Sequence, residues 1–202
     1  MKILIDNGHG IDTKGKCSPD GKLREWAWAR EVAQMLLEEL TKRGIDAQRI
    51  VTEAEDIDLP TRAKRVNAIC QHYGKTNCLL VSVHINAAGG DGKWHTAKGF
   101  SVFCSKNAST NSKRCAALFT DEAEKRNLLG NRSIPAGRFW TWSWTKADIY
   151  ILKNTNCPAV LTENLFQDNE ADAAWLQTSE GKKTIVELHA DAIEKYIKTQ
   201  SR

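Results

Sequence analysis

Cys78-Leu79-Leu80-Val81-Ser82-Val83-His84 is the stretch on which the fold turns. It is a short apolar run with no polar alternation, the pattern of a strand covered on both faces, and it sits between segments of helical period. Two runs elsewhere are built alike: Ile3-Leu4-Ile5 near the start, and Ala159-Val160-Leu161-Thr162 running into Glu163. Between them the apolar period lengthens. Ala29, Val32, Ala33, Leu36, Leu37 and Leu40 share one helical face over 25–43, and Gly44 stands where a C-terminal cap is wanted. Asp58-Leu59-Pro60 opens a second helix with Val66, Ile69 and Cys70 facing inward. Further helices are predicted over 111–127, 170–177 and 180–198, the last with Ile185, Leu188, Ala192, Ile193, Tyr196 and Ile197 on one stripe. Further strands are predicted at 46–51, 99–104 and 149–153, the 159–163 run belongs to a strand over 158–163, and the Gly-, Trp- and Ser-rich segment 130–148 reads as a long surface loop. This alternation predicts one α/β domain spanning 1–202, with a twisted, mostly parallel sheet of about six strands flanked by helices and a site at the carboxyl edge of the strands.

The 202 residues are enough to bury a core without staples, and the hydrophobic share of 41% is that of a globular chain. The net charge of +4 is scattered, with no basic run, so no nucleic-acid partner is expected. Six cysteines form no Cys-x-x-Cys pair, and Cys78 and Cys104 read as small core residues, so free thiols are expected. Met1-Lys2-Ile3-Leu4-Ile5-Asp6 is too short an apolar run for a secretory signal, and no stretch approaches a membrane span. A cytoplasmic site of synthesis and no membrane insertion follow as expectations. A monomer is the favoured oligomeric state.

Three of the apolar strands end in groups that can bind metal or carry protons. The first runs into Asn7-Gly8-His9-Gly10, the central one ends at His84, and the third ends at Glu163. In an open parallel sheet such ends meet in one crevice. Glu25 begins the helix that follows the first strand and so belongs at the same edge, where an acid also suits the helix dipole. Each position has a plainer use: a strand-end histidine can be a hydrogen-bonded structural residue, and a first-turn glutamate is commonly solvated. Two features weigh against this. Gly8 and Gly10 let the backbone bend close to a ligand at His9, and Glu163 lies between apolar residues, where a carboxyl needs a partner or a job. Two imidazoles and a carboxylate make the usual ligand set of one catalytic zinc, so the metal is assigned to His9, Glu25 and His84. Glu163 is assigned as the general base that collects the proton of the attacking water and delivers it to the leaving nitrogen. Asp6 or Asn86 could orient a ligand histidine.

The same residues carry a family resemblance. Asp6-Asn7-Gly8-His9-Gly10 resembles the Asp-x-Gly-His-Gly opening of the zinc N-acetylmuramoyl-L-alanine amidases of the amidase_3 family. Arg24-Glu25 resembles that family's metal-binding Glu, Ser82-Val83-His84-Ile85-Asn86-Ala87 its Ser-x-His-x-Asn-Ala motif, and Pro158 to Glu163 its catalytic-Glu segment, with Arg62 and Asn67 fitting a further pattern. The matches keep the family's order over 3–169. They imply an α/β fold, one zinc per chain and hydrolysis of the N-acetylmuramoyl–L-alanine amide of peptidoglycan, the implied partner. One departure is clear: the family usually follows the acid with a small residue, Gly and Phe, where this chain has Asn164-Leu165-Phe166. The chain reads as a bare catalytic domain, with no autoinhibitory helical insertion and no wall-binding repeat.

Trp140, Trp142 and Trp144 alternate in the surface loop and could stack on sugar rings or, about equally, form a hairpin in which they pack on the core or on one another; Asn86, Trp140 and Trp142 are the candidate substrate-binding residues. Trp26 and Trp28 read as packing around the first helix, and His189 as a core or boundary residue. A zinc peptidase cutting within the stem peptide and a non-catalytic peptidoglycan-binding module are the alternatives. The absence of Gly-x-Ser-x-Gly and His-Glu-x-x-His disfavours a serine hydrolase and excludes a thermolysin-type protease. A substrate outside the membrane and a chain without an export signal are reconciled by a phage or prophage lysis enzyme, or equally well by a chain from which the signal has been removed.

Overall fold

A computed structural model describes residues 1–141 and 148–200. Its sheet is built from β1 (Lys2–Asn7), β2 (Ala47–Arg49), β3 (Cys78–Asn86), β4 (Ser101–Cys104), β5 (Trp140–Thr141) and β6 (Ala159–Phe166), in the order β2-β1-β3-β6-β4-β5. The helices are α1 (Glu25–Lys42), α2 (Leu59–Tyr73), α3 (Thr110–Lys125), α4 (Tyr150–Lys153), α5 (Glu170–Leu176) and α6 (Ser179–Gln200). Strands β2, β1, β3 and β6 are parallel, as the uniform apolar runs predict. β4 runs antiparallel to β6 and carries β5 parallel to itself.

The pleat sorts side chains to two cores. Ile3, Ile5, Leu79, Val81 and Val160 point to the layer of α1, α3 and α6. Leu4, Leu80 and Leu161 point to the layer of α2 and α4. The chain leaves β1 through α1 to one neighbour and returns from β2 through α2 to the other, so the two helices fall on opposite faces. The strand order therefore reverses between β1 and β3, and the crevice at their carboxyl ends is where ligands bind in such sheets.

The local signals act as their chemistry requires. The Asp58 carboxylate caps α2 by accepting from the Thr61 N–H at 2.8 Å, and Gly44 sits at φ 70°, the left-handed value a helix-ending glycine supplies. Trp28 is buried and gives its indole N–H to the Leu176 carbonyl at 2.8 Å, while Trp26 lies under the Arg30 guanidinium. Cys78 and Cys104 are core residues, and all six cysteines are free. No helix among the described residues is long and apolar enough to cross a membrane.

Two expectations are corrected. Residues 149–153 form no strand: Tyr150–Lys153 is one helical turn that presses Ile151 and Leu152 onto the α2 side of the core. Asn67 of α2 holds it by donating to the Asn154 carbonyl and accepting from the Asn156 N–H. The segment 130–148 is also not all loop, because Trp140–Thr141 pairs with β4.

His189 of α6 is fully buried between Phe100 and Phe119. Its Nδ1–H donates to the Ile185 carbonyl at 2.8 Å, which leaves Nε2 to accept from the Thr162 hydroxyl at 2.9 Å. Burial pushes its pKa down to about 4. The unfolded chain therefore takes up a proton below pH 6.5 that the folded chain refuses until pH 4. Stability rests on this at higher pH and is lost as pH falls through that window, by about 3 kcal/mol. Ring-proton NMR is expected to give a His189 midpoint near 4. Urea unfolding of a His189→Gln variant is expected to lose that share of the pH slope between 6.5 and 4; an unchanged slope would refute the assignment.

Candidate metal centre and catalytic carboxyl

The first histidine sits just past β1, in a backbone bend at φ 60°. This is a left-handed conformation that a non-glycine residue holds only when its surroundings enforce it. Arg62, buried in the first turn of α2, does the enforcing. It donates to the carbonyls of Asn7 (2.6 Å), His9 (3.2 Å) and Ile57 (2.6 Å), and to the carboxylates of Asp6 (2.7 Å) and Asp56 (2.9 Å). Both flanking glycines are sterically required. A Cβ on Gly8 would stand 2.3 Å from the His84 ring, and one on Gly10 would stand 1.9 Å from the Asp56 backbone nitrogen.

His84 comes from β3, adjacent to β1 at the switch point. Glu25, at the first position of α1, is buried and points between the two histidines. Its Oε1 accepts from the Ile85 N–H at 2.9 Å and lies 3.1 Å from His84 Nδ1, while its Oε2 lies 3.3 Å from His9 Nε2. The two rings stand edge to face with centroids 5.1 Å apart. One ligand atom from each of His9, Glu25 and His84 lies within 4.8 Å of the others, and no other such cluster exists among the described residues. Burial pushes the Glu25 pKa up, but the imidazoles of His84 and His9 beside it outweigh that and hold the carboxyl ionised, well below its ordinary range. The His84 pKa is raised: burial opposes its charge, but the hydrogen bond and charge of Glu25 prevail.

Glu163 is the register partner of His84 across β3 and β6, so both project from the same face. Its Oε2 is sealed from solvent and has no hydrogen-bond partner among the described residues. Burial, reinforced by the Glu25 charge and opposed by His84, Lys16 and Arg132, lifts its pKa to about 7. Just beyond it the pairing breaks: His84 pairs with Glu163 but Asn86 pairs with Phe166, so Asn164 and Leu165 together face Ile85. This is a β-bulge, the device that re-aims strands beside active sites. Leu165 takes the left-handed φ of 64° there, the conformation glycine supplies most readily, which accounts physically for the family's glycine at this position. The Asn164 side chain clamps the bulge by donating to the His84 carbonyl at 2.8 Å.

The four residues singled out for chemistry thus converge, and two suggestions are modified. The Asp6 carboxylate orients neither histidine; it is taken by Arg62 and by the Ser82 hydroxyl. The Asn86 side chain caps the Ala87 N–H and lines a cavity beside the site. Trp140 packs partly on the core against Phe103, and Trp142 and Trp144 lie outside the described residues. The role of Arg62 was legible in one respect: it falls on the stripe of Val66 and Cys70, where a charge must have partners.

Fold and site together define a hydrolase with a candidate metal centre at the switch point of an α/β sheet. A family model described as N-acetylmuramoyl-L-alanine amidase matches residues 3–195, and the chain belongs to this family, Amidase_3. Over 206 residues it is 28% identical to an endolysin of Bacillus phage SPP1, covering 99% of this chain and 67% of that protein. It is 26% identical over 196 residues to the N-acetylmuramoyl-L-alanine amidase CwlM of Bacillus licheniformis, covering 96% and 67%. Among solved structures, the N-acetylmuramyl-L-alanine amidase Ami1 of Mycobacterium smegmatis superposes with a TM-score of 0.81 at 17% identity, covering 98% of this chain and 97% of that one. The N-acetylmuramoyl-L-alanine amidase of Clostridium difficile 630 does so at 0.78 and 24%, covering 98% and 96%.

Proposed function

We propose that this chain cleaves the amide between N-acetylmuramic acid and L-alanine of peptidoglycan, with one zinc held by His9, Glu25 and His84 and with Glu163 carrying the proton. The observation that carries this is a three-donor cluster beside a half-buried carboxyl whose Oε2 is sealed from solvent and unbonded among the described residues. The donor set fits the metal. Two imidazoles and one carboxylate match a catalytic zinc, and the buried Glu25 Oε2 accepts no hydrogen bond, although His9 Nε2 lies 3.3 Å away. When bound, zinc supplies Lewis acidity at the scissile carbonyl and lets water ionise near neutral pH. The protein does the rest. The Ile85 N–H fixes the Glu25 carboxylate, and Arg62 fixes the His9 backbone, so the donors need little reorganisation. Glu163, poised near neutral pH, takes a proton from the attacking water and returns it to the departing L-alanine nitrogen.

The phage SPP1 relative is an endolysin, and we place this chain in the same setting, as a lysis enzyme acting on the bacterial cell wall. The test is digestion of purified peptidoglycan with and without a chelator, read by mass spectrometry. Stem peptides with a free L-alanine amine, lost on chelation and restored by zinc, are expected. Cuts inside the stem with the sugar–peptide bond intact would instead make the chain a peptidase.

A further inference from the structure

A cavity of about 460 Å³ opens on the β4 side of the catalytic carboxyl, lined by Asn86, Ala88, Ala97, Phe103, Arg132 and Phe166. Its described walls are largely apolar, and Arg132 brings the one charge among the described lining residues. The guanidinium carbon lies 5.4 Å from the Trp140 ring centre and 5.8 Å from that of Phe166, which fixes its plane by cation–π contact. Nη1 donates to the Ser101 hydroxyl at 3.2 Å, and Ser101 is the register partner of Glu163 on β4. Arg43, Arg62, Arg65, Arg126 and Arg138 each form an ion pair with a carboxylate. Arg30 and Arg49 form none, but their donors are taken by carbonyl and amide oxygens, whereas Arg132 has no ion pair among the described residues and has the Ser101 hydroxyl as its hydrogen-bond partner. It is half-buried, and burial pulls its pKa down while Glu163 pulls it up. A fork of donors held in place by aromatic rings, turned into a cavity and lacking an anion, is a site built for an external carboxylate.

We propose that Arg132 reads a free carboxylate on the stem peptide, in the residue that follows L-alanine, and so sets which stem chemistry the enzyme prefers. The inference rests on the amidase reading above. Glu163 returns its proton to the L-alanine nitrogen, so the peptide departs on the Glu163 side, where Arg132 stands. One residue further along the chain advances about 3.8 Å between Cα atoms, towards the side on which Arg132 is bonded to Ser101, the register partner of Glu163. Arg132 is thus a specificity residue and takes no part in the proton transfer.

The experiment compares the zinc-loaded enzyme on muramoyl-L-alanyl-γ-D-glutamyl-L-lysine and on the same tripeptide with D-isoglutamine in second place; the γ-carboxyl is tied up in a peptide bond in both, so they differ only in whether the α-carboxylate of that residue is free or amidated. The wild type is expected to favour the free acid by about tenfold or more in kcat/KM, the scale of a charge-assisted pair. Arg132→Gln is expected to bring the ratio to within about twofold, mainly by raising KM on the acidic substrate. Arg132→Lys, which keeps the aliphatic packing and the charge but not the fork, is expected to fall between. A wild type that cleaves both equally, or an Arg132→Gln enzyme with the wild-type ratio, would overturn the carboxylate site and leave the amidase reading standing. Failure of the wild type to cut either muramoyl amide would overturn both.

Discussion

Glu163→Gln is expected to lower kcat by about 10²–10⁴-fold while leaving zinc bound at one per chain by elemental analysis. Glutamine keeps the size of the side chain and its place on β6, so the bulge at Asn164 and Leu165 is undisturbed. It cannot take up a proton. The metal should stay because Glu163 lies outside the His9, Glu25 and His84 cluster. The wild-type carboxyl suits the exchange because burial holds its pKa near 7, where accepting a proton from water and passing it to an amine are both within reach at neutral pH. Loss of zinc from Glu163→Gln would make this residue a ligand and force the roles to be redrawn.

The second large effect is expected at His84. His84→Ala removes Nδ1 from the cluster and leaves the buried Glu25 with one imidazole fewer to balance its charge. Zinc affinity should fall by more than the ~10–100-fold typical of a change that only orients a ligand, and turnover should vanish with it. The fold should survive, since the ring lies over Gly8 at the crevice and outside the two hydrophobic cores. His9→Ala should behave alike. Far-ultraviolet circular dichroism, zinc titration and amide hydrolysis on the same sample would separate these effects. Full zinc occupancy in His84→Ala would sink the assignment.

Much of this was legible because the chemistry sits where the strongest sequence signals end. Strands β1, β3 and β6 are covered on both sides, so they read as plain apolar runs, and each run leads to a candidate site residue: His9, His84 or Glu163. Helix caps were equally plain, since Asp58 and Gly44 act through their own backbones. What escaped was decided by tertiary contacts. Ile149-Tyr150-Ile151-Leu152 has strand-forming composition, yet α2 and the Asn67 side chain hold it as a helical turn. A two-residue strand such as Trp140–Thr141 has no period to detect. The antiparallel direction of β4 leaves no trace in its composition. Arg132 sits in a segment without periodicity, and only folding brings it between Trp140 and Phe166.

The bulge after Glu163 also has a bearing on folding fidelity. A strand that slips by one residue turns every side chain to the opposite face. Were β6 to slide against β3, Thr162 or Asn164 would face the crevice and the acid would be driven into a hydrophobic layer. The doubled step at Asn164 and Leu165, pinned to the His84 carbonyl, fits only one alignment and works like a key in a lock. The direction of Glu163 is therefore guaranteed by the sheet, with no contact of its own required. An acid aimed by the backbone in this way can leave one oxygen unbonded, free to pick up a proton and let it go.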